Sequence, residues 1–274
     1  MKRREFMLSA LSAAAIAQRA VPKASAATTA ARPTVCYFSK YLINLNYEDL
    51  GKALHDAGFD GVDLTVRSRG HVLPERVTED LPRAVEAIRS YGLEVPMITT
   101  ELTSAADPTA RPILSTAARL KIPYFKLGYW RYGDDVLASV REAGSGVQGL
   151  TALAKEYGIV AGFHNHPRYV GLAFWDSREF LHELDPKLIG YYYDPGNATQ
   201  EGGDQGWEVG LRLASTRLKM AACDDFYWAK VRGEWKPKSC PLGEGMVHLP
   251  AVFGLLAAAR FAGPISLHQE YHSA

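Results

Sequence analysis

Strand-like segments alternating with helical ones constrain this chain more than any other feature. Eight short apolar segments of strand character lie at 35–38, 61–66, 95–100, 123–127, 159–164, 189–193, 218–223 and 265–270. Between them, helical patterns run over 47–57, 79–91, 109–120, 135–157, 177–184, 207–214 and 249–261, several stopped by a glycine such as Gly58, Gly92 or Gly158. Such alternation predicts a parallel α/β sheet with crossover helices. Eight units in 274 residues match a closed (β/α)8 barrel, which typically needs about 250. The rival is an open doubly wound sheet, but no glycine-rich phosphate fingerprint follows the first strand. Little chain follows His272, so the final helix is expected to be reduced or missing. Gly144, Gly146 and Gly149 blur the middle of the 135–157 helix, and a long loop is expected between 223 and 249.

Residues 1–26 are set apart. Lys2, Arg3 and Arg4 precede an apolar run from Phe6 to Ala17, too short to span a bilayer comfortably, and Ala24-Ser25-Ala26 offers a small-residue cleavage site. We expect a signal peptide, with the Arg pair suggesting twin-arginine export and an ordinary secretory signal as the alternative. Residues 27–274 are then one barrel domain, periplasmic or secreted. The formal net charge of +1, without a basic block beyond the N-terminus, argues against nucleic acid as a partner. No stable membrane insertion of the mature chain is expected, and a homo-oligomer is compatible with it. Cys36, Cys223 and Cys240 form no regular framework; buried free thiols are expected, with a Cys223–Cys240 pair as the alternative.

Barrel sites form at the carboxyl ends of the strands, so polar residues there were sorted by period-two alternation. His164 and His166 share a face at the end of the fifth strand with Gly162, which leaves room inside; they read as metal ligands or as hydrogen-bonded structural histidines. Asp194 follows the sixth strand, but Asp-Pro-Gly-Asn is also good turn chemistry. Ser266, His268 and Glu270 share the inner face of the eighth, where ionisable groups are costly unless paired or metal-bound. On the second strand Arg67 could grip a substrate oxygen, with His71 nearby, or could pair with Asp63. Lys126 on the fourth is a site cation or a barrel ion-pair partner. Asp224 looks inward or is a solvated loop carboxylate. Trp130, Tyr132, Tyr169, Trp175, Tyr227 and Trp228 fall in loops after strands, where aromatic walls suit sugar faces.

At GVDLTVRSRGHVLPERV (61–77), GIVAGFHNHP (158–167), YYYDPGNA (191–198), KMAACDDFYW (219–228), PLGEGMVHLPAVF (241–253) and GPISLHQEY (263–271), the chain resembles the sugar phosphate isomerase/epimerase family with a xylose isomerase-like TIM barrel. The resemblance covers essentially the whole mature chain. It implies one divalent ion, often Mn, held by Glu, Asp, His and Glu at the ends of strands five to eight. By position, the aspartate falls on Asp194, the first glutamate on His164, the histidine on Ala221 or Ala222, and the last glutamate on His268, with Glu270 two residues on. The expected ligands are therefore His164, Asp194 and His268, with His166 or Glu270 as additions. That nitrogen-rich set suits Mn, Zn, Co or Fe better than Mg. Glu270, His166 and Lys126 are the expected catalytic groups, and Arg67, His71 and Trp130 the expected substrate contacts.

The resemblance implies a metal-dependent isomerase or epimerase that removes a proton beside a polarised carbonyl of a sugar or keto-sugar. Because neither family glutamate is in place, elimination from a keto-glycoside by a lyase or hydratase is a second expectation. A non-catalytic sugar-binding barrel is the third.

Overall fold

The computed structural model describes residues 32–271, so the expected signal peptide lies outside the described residues. In chain order the elements are β1 (Val35–Phe38), α1 (Tyr47–Asp56), β2 (Gly61–Thr65), α2 (Val77–Ser90), β3 (Glu94–Thr99), α3 (Ala110–Arg119), β4 (Tyr124–Lys126), α4 (Val136–Tyr157), β5 (Val160–His164) and α5 (Phe174–Leu181). They continue with β6 (Ile189–Tyr193), α6 (Pro195–Ala214), β7 (Leu218–Cys223), β8 (Phe226–Val231), β9 (Glu234–Ser239), α7 (Leu249–Ala258) and β10 (Ile265–Leu267). Strands β1–β7 and β10 form a closed parallel barrel in which β1 pairs with both β2 and β10. This is the expected (β/α)8 fold, and no helix follows β10 among the described residues. None of the described helices is long and apolar enough to cross a membrane.

Alternation along each strand builds two cores. Outward residues such as Val62, Leu64, Ile98, Phe125, Ala161, Tyr191 and Ala221 pack under the helices. Met97, Tyr192, Met220 and Ala222, with Tyr124 against them, fill the barrel interior. Gly162 does not leave a void: a Cβ there would lie 1.7 Å from Met220 Cε, so the methionine occupies the space the glycine vacates.

Three expectations about local structure need correction. The glycines of α4 do not interrupt it. Gly146 lets the helix approach the chain so closely that a Cβ would sit 2.3 Å from the Thr103 carbonyl oxygen, so the helix is continuous. The Pro195-Gly196-Asn197 segment is the first turn of a longer α6, with Pro195 at its start and Asp194 as its cap; Gly203, at φ 61°, kinks it midway. In place of the long loop after β7 stands an antiparallel hairpin, β8–β9, closed by Arg232-Gly233 with both φ angles positive (52° and 88°). Cys36, Cys223 and Cys240 are all buried free thiols.

Candidate active site

The carboxyl ends of the barrel strands enclose a cavity of about 290 Å³. Its wall includes Phe38, Lys40, Arg67, Lys126, Tyr129, His164, His166, Tyr169, Tyr192, Asp194, Asp224, His268 and Glu270. All three expected ligands and all three expected catalytic groups therefore reach one space.

Asp194 is positioned from both sides. Asn165, just past β5, accepts from the Asp194 amide at 2.8 Å and donates to its carbonyl at 2.9 Å. Asn197 Nδ2 donates to the Asn165 carbonyl at 3.0 Å, stapling the end of β5 to the start of α6. Asp194 Oδ1 accepts from the Asn197 amide at 2.8 Å as the helix cap. Asp194 thus caps α6 with one oxygen, in place of the expected turn, and turns the other, Oδ2, to the cavity.

His164 Nε2 lies 3.2 Å from that Oδ2, and His164 Nδ1 lies 2.7 Å from the Tyr129 hydroxyl. His268 Nδ1 stands 4.0 Å from the same Asp194 oxygen, and its Nε2 is 2.9 Å from the Tyr192 hydroxyl. Tyr192 in turn donates to Asp63 Oδ2 at 3.3 Å. With its proton given to Asp63, Tyr192 accepts from His268 Nε2–H, so His268 Nδ1 presents a lone pair to the cavity. Asp63 also accepts from Thr99 at 2.7 Å and Ser266 at 2.9 Å. Burial nonetheless pushes its carboxyl up to about 6, against those three hydroxyl bonds. Burial holds both His164 and His268 well below the ordinary imidazole range, so both are neutral.

Inward positions on β7 are Met220 and Ala222, with Asp224 next in the alternation. Ala222 thus stands where the resemblance would place a histidine. Asp224 reaches the N-terminus of α6, where a Cβ on Gly196 would lie 2.3 and 2.4 Å from its two carboxylate oxygens. Its Oδ1 is buried without a hydrogen-bond partner. Burial, then the charges of Asp194 and Glu270, hold the Asp224 carboxyl well above its ordinary range. Asp194 is pushed up to about 7, chiefly by burial. The pair therefore retains a proton near neutral pH.

Two neutral imidazoles, each with its outer nitrogen tied to a tyrosine, and a carboxylate fit a divalent ion in donor chemistry. Yet among the described residues no group of three or more His, Cys, Asp or Glu side chains is arranged to hold one. His164 and His268 each face Asp194 instead of surrounding a common point, and β7 supplies alanine.

His166 donates from Nδ1 to the Pro167 carbonyl at 2.9 Å, which leaves Nε2 as its acceptor, and its ring packs 4.8 Å from that of Tyr129. Glu270 accepts from the Tyr41 hydroxyl. Lys126 is 2% exposed, with Nζ 3.3 Å from the centre of the Tyr129 ring. Arg67 stands with its guanidinium 5.7 Å from the Phe38 ring, not paired with Asp63.

Two expected substrate contacts fall outside the cavity wall. His71 spends both nitrogens on structure, 3.3 Å from Thr65 Oγ1 and 3.2 Å from the Leu42 carbonyl, bracing the loops after β1 and β2. Trp130 is buried, stacked on Phe163 at 6.0 Å and 12°, because close approach of α4 seals it into the outer core. Of the loop aromatics, Tyr169 alone joins the wall; Tyr132 binds Asp176, while Trp175, Tyr227 and Trp228 are exposed elsewhere. Tyr129 and Tyr192, which hold the two histidines, carried no signal beyond their position near strand ends.

Comparison with known proteins agrees with this architecture. Solved structures of similar fold include 3-keto-D-glucoside 4-epimerase from E. coli (14% identity, 88% of this chain and 94% of that one, TM-score 0.68). They also include a probable 3-DHS dehydratase from Bacillus anthracis (14%, 88% and 94%, 0.71). A third is a xylose isomerase-like TIM barrel protein from Mycobacterium smegmatis in complex with magnesium (14%, 88% and 91%, 0.70). No curated protein matches the chain. Residues 52–273 match the xylose isomerase-like TIM barrel family, and the chain belongs to that family.

Proposed function

We propose that this barrel is an enzyme of the sugar isomerase or epimerase type, which moves a proton on a carbon beside a carbonyl of a sugar or keto-sugar. The observation that carries this reading is the convergence of His164, His166, Asp194, Asp224, His268 and Glu270 on one small, largely polar cavity. Support also comes from the similarly folded epimerase and dehydratase.

The residues divide the work. His166 Nε2 or the Glu270 carboxylate, at the rim, removes the proton. The Asp194–Asp224 pair, which keeps a proton near neutral pH, hydrogen-bonds the oxygen that gains charge. Tyr129 and Tyr192 hold His164 and His268 in fixed orientations. His164, Asp194 and His268 have the donor types a divalent ion needs but not the arrangement, so the proton transfer is assigned to the chain's own groups. Elimination from a keto-glycoside is the second reading; it needs one base and one acid, which suits a site where the two family glutamates are replaced by histidines.

The test is incubation of the full chain with a panel of aldoses, ketoses and keto-glycosides in deuterated water, with and without added Mn or Zn, read by NMR. Deuterium entering a carbon beside the carbonyl supports the proposal, and released aglycone selects elimination. Absence of exchange in every substrate, with and without metal, would refute it.

A further inference from the structure

The cavity is electrically divided. Asp194, Asp224 and Glu270 stand on the wall built by β6, β7 and β10. Arg67 and Lys126, from the ends of β2 and β4, stand across the barrel from them, and Lys40, after β1, stands at the border beside β10. Among the described residues no carboxylate lies within 4.0 Å of any of these three cations. The nearby acids have other partners: Glu101 accepts from the Ser68 amide at 3.2 Å and hydroxyl at 2.7 Å, and Asp63 is held by three hydroxyls.

Two of the cations also lack hydrogen-bond partners. Arg67 Nε is buried with none. Lys126 is almost wholly buried, lines the cavity, and has only the face of Tyr129 against its ammonium group. Burying a charged or polar group without a partner is costly, so such groups mark a place where a ligand completes the bonding.

We infer that this wall binds a carboxylate carried by the substrate, which makes the substrate an acidic monosaccharide such as a uronate. A planar carboxylate matches the flat guanidinium fork of Arg67 and supplies the acceptors that Arg67 Nε and Lys126 Nζ lack. Glu101 on the same side limits the positive excess, which favours a monoanion over a doubly charged phosphate. The charge division also sets direction. The acid group is drawn to the cationic wall and repelled from Asp194, Asp224 and Glu270, so the far end of the sugar is presented to the proton-transfer groups. The lowered pKa of Lys126, caused by burial and then by Arg67, agrees with a cation lacking its counter-ion.

This inference rests on the proposed reading of the cavity as the reacting site, and binding measurements separate the two. The full chain is titrated calorimetrically with D-glucuronate, D-glucose 6-phosphate and D-glucose at low and high salt. We expect D-glucuronate to bind at least about tenfold more tightly than D-glucose and more weakly as salt rises. Lys126→Met and Arg67→Gln, checked for unchanged circular dichroism, should each lose about tenfold in D-glucuronate affinity and leave D-glucose within about twofold. Equal affinity for D-glucuronate and D-glucose would overturn the inference, as would undetectable binding of D-glucuronate, unchanged affinity in both variants, or a preference for the phosphate. Deuterium exchange confined to neutral sugars would overturn it while leaving proton transfer standing; acidic-sugar binding without exchange would do the reverse.

Discussion

Replacing Asp225 should release the segment that follows the barrel's seventh strand. This buried residue accepts four backbone hydrogen bonds: Oδ1 from Phe226 at 2.9 Å and Val247 at 3.1 Å, Oδ2 from Gly243 at 2.9 Å and Gly245 at 3.0 Å. It thereby ties the base of the β8–β9 hairpin to the loop leading into α7. Hydrogen bonds to a charged group contribute about 1.5–3 kcal/mol each, but the four are not independent, and loop amides regain water once released. Asp225→Ala should therefore cost about 3–5 kcal/mol, and Asp225→Asn, which keeps one acceptor oxygen and turns an amide toward the other two donors, about 2–3 kcal/mol. At about 2–4 °C per kcal/mol for a chain of this size, alanine should lower the melting temperature by roughly 6–20 °C. The assay is thermal unfolding of wild type and both variants, with limited proteolysis to locate the opened segment. Cleavage should begin between residues 226 and 248. If Asp225→Ala melts within about 2 °C of wild type and is no more protease-sensitive, the clasp contributes nothing and the reasoning fails.

Other expectations are more local. Asp63, raised in the folded chain from the ordinary 3.8 to about 6, favours folding in its protonated form; its contribution is complete below pH 3.8 and is lost as pH rises through 6, about 3 kcal/mol in all. Asp63→Asn should flatten that part of the stability profile between pH 4 and 6, as measured by denaturant titration at several pH values. Gly162→Ala places a methyl against Met220 and should cost about 1–3 kcal/mol by overpacking, and Gly162→Ala with Met220→Ala should restore part of it in thermal melts. Tyr129→Phe keeps the ring under Lys126 but frees His164 Nδ1, so turnover of any substrate found by deuterium exchange should fall about tenfold or more with little loss of fold. If a resident ion is used, elemental analysis of the purified chain should show it, and His164→Ala or Asp194→Ala should abolish both its retention and the exchange.

Much of the barrel was legible because alternation is a local property. Inward and outward residues differ in type along β2, β5 and β10, and the strand ends then point to the cavity without further information. Asp194, His164 and His268 reach the cavity as that alternation implies. Direction beyond a strand end is not local, which is why His71 and Trp130 were misplaced. His71 turns back because Thr65 Oγ1 and the Leu42 carbonyl are within its reach, and Trp130 fits under α4 because Gly146 has no side chain there. Tyr192 was hidden among three consecutive tyrosines that differ only in the face they take. The hairpin had half a signal: Arg232-Gly233 follows the aromatic run Phe226-Tyr227-Trp228, but its second strand, Glu234–Ser239, is charged and carries Pro237.

The bare α-carbon of Gly196 makes one position unusually decisive for how this lineage can change. A single added methyl there would collide with both carboxylate oxygens of Asp224, an acid of the cavity wall. A one-codon change to alanine would thus push that carboxyl away from the start of α6.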